Sequence, residues 1–121
     1  MATTVEQSEQ SIRIKAKLFR GFADPSRLSI IEALRDGKKS VGELVELTGL
    51  SQPNVSNHLR CLADCDLVRS ERDGRYNYYR LSDDRIDNIL SQSEQLLSKV
   101  AKGVFECTRY ESAGQQETTE V

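Results

Sequence analysis

Between Ser40 and Leu81 the chain sets out helix, tight turn, second helix and β-hairpin in that order, and few small folds accept it. Ser40 is a capping residue with Glu43 three positions on, in capping-box register, and Val41, Leu44, Val45 and Leu47 supply an apolar side. Gly49 ends that helix. Ser51 caps the next, with Pro53 in the first turn, where its missing donor does no harm. Only a turn remains between the two helices, as a helix-turn-helix requires. Leu67 to Arg72 and Arg75 to Leu81 then read as strands around Asp73-Gly74, a strong hairpin signal. The expected fold class is mainly α with a small β-hairpin: a winged helix-turn-helix, which reads DNA by placing its second helix in the major groove.

The flanks suggest association. From Ser11 to Ala23 two apolar stripes run along a helix, Ile12, Ala16, Phe19 and Ala23 on one side and Ile14, Leu18 and Phe22 on another. A helix apolar on two sides needs two things to pack against, its own domain and a second copy. Asp24-Pro25 opens a further helix carrying Leu28, Ile31 and Leu34, ending near Asp36-Gly37. From Asp83 or Asp84 a last helix runs to about Lys102, with Ile86, Ile89, Leu90, Leu96, Leu97, Val100 and Val104 on one stripe. At 121 residues the core is small enough that a homodimer built on the first and last helices is expected. The expected organisation is a flexible tail over 1–10, the winged domain with its dimerisation helices over 11–107, and a flexible acidic tail over 108–121.

Net charge is -2, so a DNA partner must be argued from where charge lies. No apolar run spans a bilayer and the first ten residues are polar, so no membrane partner and a cytoplasmic location are expected. No nucleophile and base set or phosphate loop stands out, so no enzymatic activity is expected.

On the second helix of the pair, Val55, Leu59 and Leu62 fall within a narrow arc and face the core, while Ser56, Asn57, Arg60 and, further round, Asn54 point away. Amides and guanidinium can pair with two edge atoms of a base, and hydroxyls serve base or phosphate. With Ser51 and Gln52 at the helix start and His58, the only histidine, read as a structural or DNA-contacting residue, this face is the candidate DNA surface. Arg72, Arg75 and Tyr76 at the hairpin tip suit phosphate or minor-groove contact; Lys38 and Lys39 could touch the backbone ahead of the third helix, but either lysine taken singly is expected to be a solvated loop charge.

Three cysteines in a reducing compartment argue for free or metal-bound thiols rather than a disulfide framework. Cys61 and Cys65 are an i, i+4 pair, one turn apart on one helix face, close enough to share an ion. Cys65 lies at the edge of the core stripe and Cys61 further out. Cys107, just beyond the last helix, is the only other thiol. Three thiolates suit cadmium, lead, mercury or trivalent arsenic better than a magnesium-like ion. Two other classes remain: a redox switch, disfavoured because helical i, i+4 cysteines have poor disulfide geometry, and a protein-interaction winged helix without DNA.

These residues resemble the ArsR/SmtB metal-sensing repressors. The run Leu50-Ser51-Gln52-Pro53-Asn54-Val55-Ser56-Asn57-His58-Leu59 looks like that family's helix-turn-helix, and Asp24-Pro25-Ser26-Arg27 resembles its second-helix opening. Cys61 and Cys65 with a late cysteine are similar to the cadmium- and lead-sensing branch. The Cys-x-Cys of the arsenic type is absent from the third helix, and one histidine cannot assemble the zinc-type site of the last helix. The resemblance implies a metal site of Cys61, Cys65 and Cys107, with Cys107 given by the other subunit or the end of the same chain. It further implies an apo homodimer on double-stranded operator DNA, released by cadmium or lead as inducer, with arsenite, mercury or thiol redox chemistry as alternatives, and no organic cofactor.

Overall fold

A computed structural model describes residues 4–108, with side chains described from Gln7 to Thr108. The elements are α1 (Thr4–Ala23), α2 (Pro25–Ala33), β1 (Lys39–Ser40), α3 (Val41–Thr48), α4 (Gln52–Asp64), β2 (Val68–Asp73), β3 (Tyr76–Leu81) and α5 (Asp84–Glu106). The chain forms two compact units, Met1–Ile86 and Asp87–Val121.

In the first unit the caps stand where the residue types place them. Asp24 accepts from the Arg27 amide at 2.9 Å with Pro25 opening α2, and Ser51 accepts from the Asn54 amide at 3.3 Å. Ser40 and Glu43 form the complete capping box, at 3.1 and 2.8 Å. Gly49 closes α3 at φ 77, a left-handed conformation that costs glycine little. Between α3 and α4 only residues 49–51 remain, and the helix-turn-helix is formed.

The core is the meeting of three helices. Ile30, Ile31 and Leu34 from α2 and the turn after it, Leu44 from α3, and Val55, Leu59 and Leu62 from α4 are fully buried, and Leu67, Val68 and Ile86 are buried beside them. Burying each such side chain contributes about 1.5–3 kcal/mol. Among the described residues no polar or charged side chain is buried. The wing is a three-stranded antiparallel sheet in the order β1-β3-β2.

Several expectations need correction. The first helix begins at Thr4, not Ser11, so residues 4–10 are helical rather than a tail; Gln and Glu are good helix formers and acids near an N-terminus suit the helix dipole, although no apolar stripe marks the stretch. Leu47, expected on the buried side of its helix, is 60% exposed and lies at the edge of an open surface cleft beside Ser29, Glu32 and Ala33 of α2. The hairpin turns at Gly74-Arg75, not Asp73-Gly74: Asp73 pairs with Tyr76 in the sheet, and Gly74 at φ 64 takes the first turn position, where type II′ geometry needs a positive φ. β1 had not been expected. The last helix continues four residues past Lys102, to Glu106. Among the described residues no helix is long and apolar enough to cross a membrane. The expected acidic tail lies, beyond Thr108, outside the described residues.

Candidate nucleic-acid interface and thiol pair

The α4 helix has three sides. With Val55, Leu59 and Leu62 turned inward, Gln52, Ser56, Arg60 and Ala63 fall on one flank and Asn54, His58, Cys61 and Cys65 on the other, with Asn57 near the outward pole. The first flank faces the wing: Ser56, Leu59, Arg60 and Ala63 line one cleft with Ser70 of β2 and Tyr79 of β3. Gln52, Asn54, Asn57 and Arg60 are exposed, and Ser56 and His58 are half-buried. The Ser51 hydroxyl oxygen is engaged by the Asn54 amide in capping the helix.

Register divides the wing into two faces. Residues directly opposite share a face, and neighbours along a strand alternate. Val68, Ser70, Arg72, Asn77, Tyr79 and Leu81 therefore share the face that lines the α4 cleft. Arg69, Glu71, Asp73, Tyr76, Tyr78 and Arg80 share the outer one. Arg72 and Tyr76, expected side by side, thus lie on opposite faces, with Arg75 in the turn between them. Arg72 and Arg75 are exposed, as is Tyr76 at 61%. The Arg72 Nε donates to the Gly74 carbonyl at 3.3 Å, which fixes the stem of that side chain beside the turn.

The two lysines ahead of α3 are already engaged within the chain. Lys39 Nζ lies 2.7 Å from Asp36 Oδ1, and this contact holds the Asp36 carboxyl below its ordinary range. Lys38 Nζ reaches Asp73 Oδ2 at 3.1 Å and Glu71 Oε2 at 3.3 Å, and stands 4.8 Å from the centre of the Tyr78 ring. Sequence reading missed this cluster, since 33 and 35 residues separate Lys38 from its two acids.

All three thiols are free. Cys61 is exposed on the last full turn of α4. Cys65 is also exposed, not at the edge of the core as expected, because it is the C-cap and the chain leaves the helix there. The exit is a Schellman motif: Asp66, at φ 62, donates its amide to the Ala63 carbonyl at 3.0 Å, and Leu67 donates to Leu62 at 2.9 Å. Cys65 lines a mostly apolar groove with Asp64, Leu67 and the Ile14, Lys17, Leu18 and Gly21 positions of α1. Cys107 follows the end of α5 and is half-buried. Among the described residues no three His, Cys, Asp or Glu side chains stand together so as to hold a metal ion. One chain therefore offers the Cys61 and Cys65 pair, whose soft donors and exposure fit a thiophilic ion in two of its coordination positions.

Residues 24–70, from the cap of α2 into the wing, match the family described as bacterial regulatory protein, arsR family. A probable mercury resistance operon repressor of Streptomyces lividans is 38% identical over 101 residues, 84% of this chain and 81% of that one. The transcriptional regulator CmtR of Mycobacterium tuberculosis is 39% identical over 97 residues, 80% of each chain. The NMR structure of that cadmium metal-sensor aligns with a TM-score of 0.57 at 43% identity, over 64% of this chain and 80% of its own. For the fold alone, a homodimeric winged helix-turn-helix DNA-binding domain of Mycobacterium bovis aligns with a TM-score of 0.72 at 21% identity, over 85% of this chain and 95% of that one.

Proposed function

The chain belongs to the ArsR/SmtB family of metal-responsive transcriptional repressors, and from that premise we propose that it binds operator DNA as an apo homodimer and releases it when cadmium or lead is captured by Cys61, Cys65 and Cys107. The observation that carries this reading is the thiol pair on α4. Cys61 and Cys65 are exposed on the flank of the recognition helix turned away from the wing, so ligands gathered there act on the helix without occupying its wing-facing side.

DNA contact falls to the α4 residues turned from the core, Gln52, Ser56 and Arg60 on one flank, Asn54 and His58 on the other and Asn57 between them, for bases and near phosphates, with Ser51 at the helix start, and to Arg72, Arg75 and Tyr76 at the wing. The exposed apolar residues Ile12, Ile14 and Phe19 of α1 and Leu96, Leu97, Val100 and Val104 of α5 are the surfaces that a second copy would cover. Cys61 and Cys65 bind as thiolates, so capture releases protons. Cys107 supplies the third donor, from the second copy or from the end of the same chain. The DNA-bound and free dimers must differ in ion affinity for capture to shift the balance, by about 1–3 kcal/mol in typical allosteric proteins. A cytoplasmic location follows from this role.

Mercury is the second reading. The Streptomyces relative carries that ion in its name, and a mercuric ion is satisfied by two thiolates, the number α4 itself provides. Anaerobic titration with cadmium, lead, mercury and arsenite, following thiolate-to-metal absorption in wild type and Cys107→Ser, separates the two. One cadmium or lead per chain with a spectrum altered by the substitution supports the three-thiolate site. Tight mercury binding indifferent to Cys107, with weak cadmium, establishes the second reading, and no tight binding of any ion contradicts both.

A further inference from the structure

The wing tip is poorly tied to the rest of the chain by its strands. β1 pairs only with Tyr78 and Tyr79, so the end of the hairpin, from the Arg72 and Asn77 pair to the Gly74-Arg75 turn, has no strand neighbour besides its own partner. That end carries both arginines assigned to DNA. The Lys38 side chain reaches it from outside the hairpin along the outer face. Lys38, in the turn just before β1, extends over the Tyr78 ring to Glu71 and on to Asp73, the residue paired with Tyr76 at the last rung before the turn.

The arrangement satisfies each group. The ammonium donates to two carboxylates and lies over an aromatic ring, and the hydrogen bonds to Asp73 and Glu71 hold it above its ordinary pKa. Glu71 also accepts from Arg80 at 3.4 Å, and its carboxyl is held below the usual range, first by Lys38 and then by Arg80. An exposed pair taken singly contributes little, but a network sharing one cation has geometry to defend. The anchor is short as well. Lys38 is two residues from Ser40, which caps α3 and pairs with Tyr78. A pull on the wing tip is therefore delivered to the start of the helix-turn-helix.

We propose that Lys38 is a positioning residue for DNA binding: its ammonium ties Asp73, Glu71 and Tyr78 of the wing to the segment capping α3, and so holds Arg72 and Arg75 in place, rather than contacting phosphate itself. The inference rests on the DNA-binding reading above. It differs both from a backbone contact and from the solvated loop charge that the sequence alone suggests for this lysine.

The test uses the full chain as Lys38→Met, which keeps the stem and removes the charge, and as Lys38→Arg, which keeps a cation able to reach both acids. Amide hydrogen exchange of residues 72–76 is measured without DNA, and affinity for a fluorescein-labelled mixed-sequence duplex by anisotropy. A positioning role speeds exchange at the tip in Lys38→Met but not in the α4 amides, weakens DNA binding roughly three- to tenfold, and is rescued on both counts by Lys38→Arg. Unchanged tip exchange in Lys38→Met overturns the proposal, whatever happens to affinity, since a phosphate contact would leave the free protein undisturbed. Faster exchange with unchanged affinity overturns it too. Global loss of protection in Lys38→Met passes the decision to Glu71→Gln/Asp73→Asn, which frees the same ammonium and must likewise loosen the tip. A wild type that binds no duplex at all contradicts the DNA reading, and the exchange result still reports on the tether.

Discussion

Arg27 Nη2 donates to the main-chain carbonyl of Arg20 at 2.8 Å, and its Nε donates to that of Gly21 at 3.2 Å. A side chain from the first turn of α2 thereby satisfies carbonyls that the end of α1 leaves open, with a cation where the helix dipole favours one. This fork and the Asp24 cap together join the end of α1 to the start of α2. Arg27→Ala should lower unfolding free energy by about 1–2 kcal/mol, read as a lower urea midpoint. Arg27→Lys should recover little, because one ammonium cannot reproduce the two-pronged geometry. An unchanged midpoint in Arg27→Ala would mean that α1 is held by its apolar contacts alone.

Asp66 pays for the sharp exit after Cys65. Its φ of 62 is a conformation in which a side chain costs roughly 1 kcal/mol relative to glycine. Its carbonyl accepts from the Ser82 hydroxyl at 2.6 Å, a main-chain contact that substitution leaves intact. Asp66→Gly should therefore raise stability by about 0.5–1 kcal/mol, measured by thermal melting, without altering metal stoichiometry. A lower melting temperature would show that the carboxylate does something the backbone geometry does not reveal.

The helix-turn-helix was legible because its signals are local. Asp24, Ser40 with Glu43, and Ser51 each act within a turn of themselves, and the Val55, Leu59 and Leu62 spacing needs only helical geometry to name the core. What depended on distant chain was not legible. β1 is two residues long, too short for any alternation, and exists only because β3 lies beside it. Lys38 looked like a free cation since its partners are on another strand. Cys65 was misjudged for a related reason: the wheel places it by an arc, but the helix stops at Asp64 and the Schellman turn decides its exposure. Hairpin existence was readable from Asp73-Gly74, yet its register was not, as pairing of Asp73 with Tyr76 moved the turn by one residue. The proposed metal set stands apart from all of these, for two of its thiols lie at the end of one helix while the third follows the end of another.

Asp83 gives the fold an acid-side dependence. Its Oδ1 accepts from the Arg85 amide at 2.8 Å and from Arg85 Nε at 2.9 Å, and its Oδ2 from Nη2 at 2.8 Å. The Arg85 side chain first, then that amide, hold the carboxyl well below the usual carboxylate range. The folded chain binds fewer protons there than the unfolded one, so this contribution is complete above the ordinary aspartate value and is lost as pH falls through the lowered one. Asp83→Asn should flatten the acid limb of a stability curve built from urea midpoints at stepped pH. An acid limb of unchanged slope would assign the dependence to other carboxylates.

The central claim is that thiolates on the recognition helix control its hold on DNA. The direct measurement is anisotropy of a labelled duplex, selected by the apo wild type from a randomised pool, with cadmium, lead or mercury added to wild type and to Cys61→Ser. The expected result is tight apo binding by both proteins, release of the wild type by at least one ion, and retention of Cys61→Ser at the same ion concentration. Release of both proteins alike, or a wild type that keeps its DNA through saturating amounts of all three ions, would contradict it.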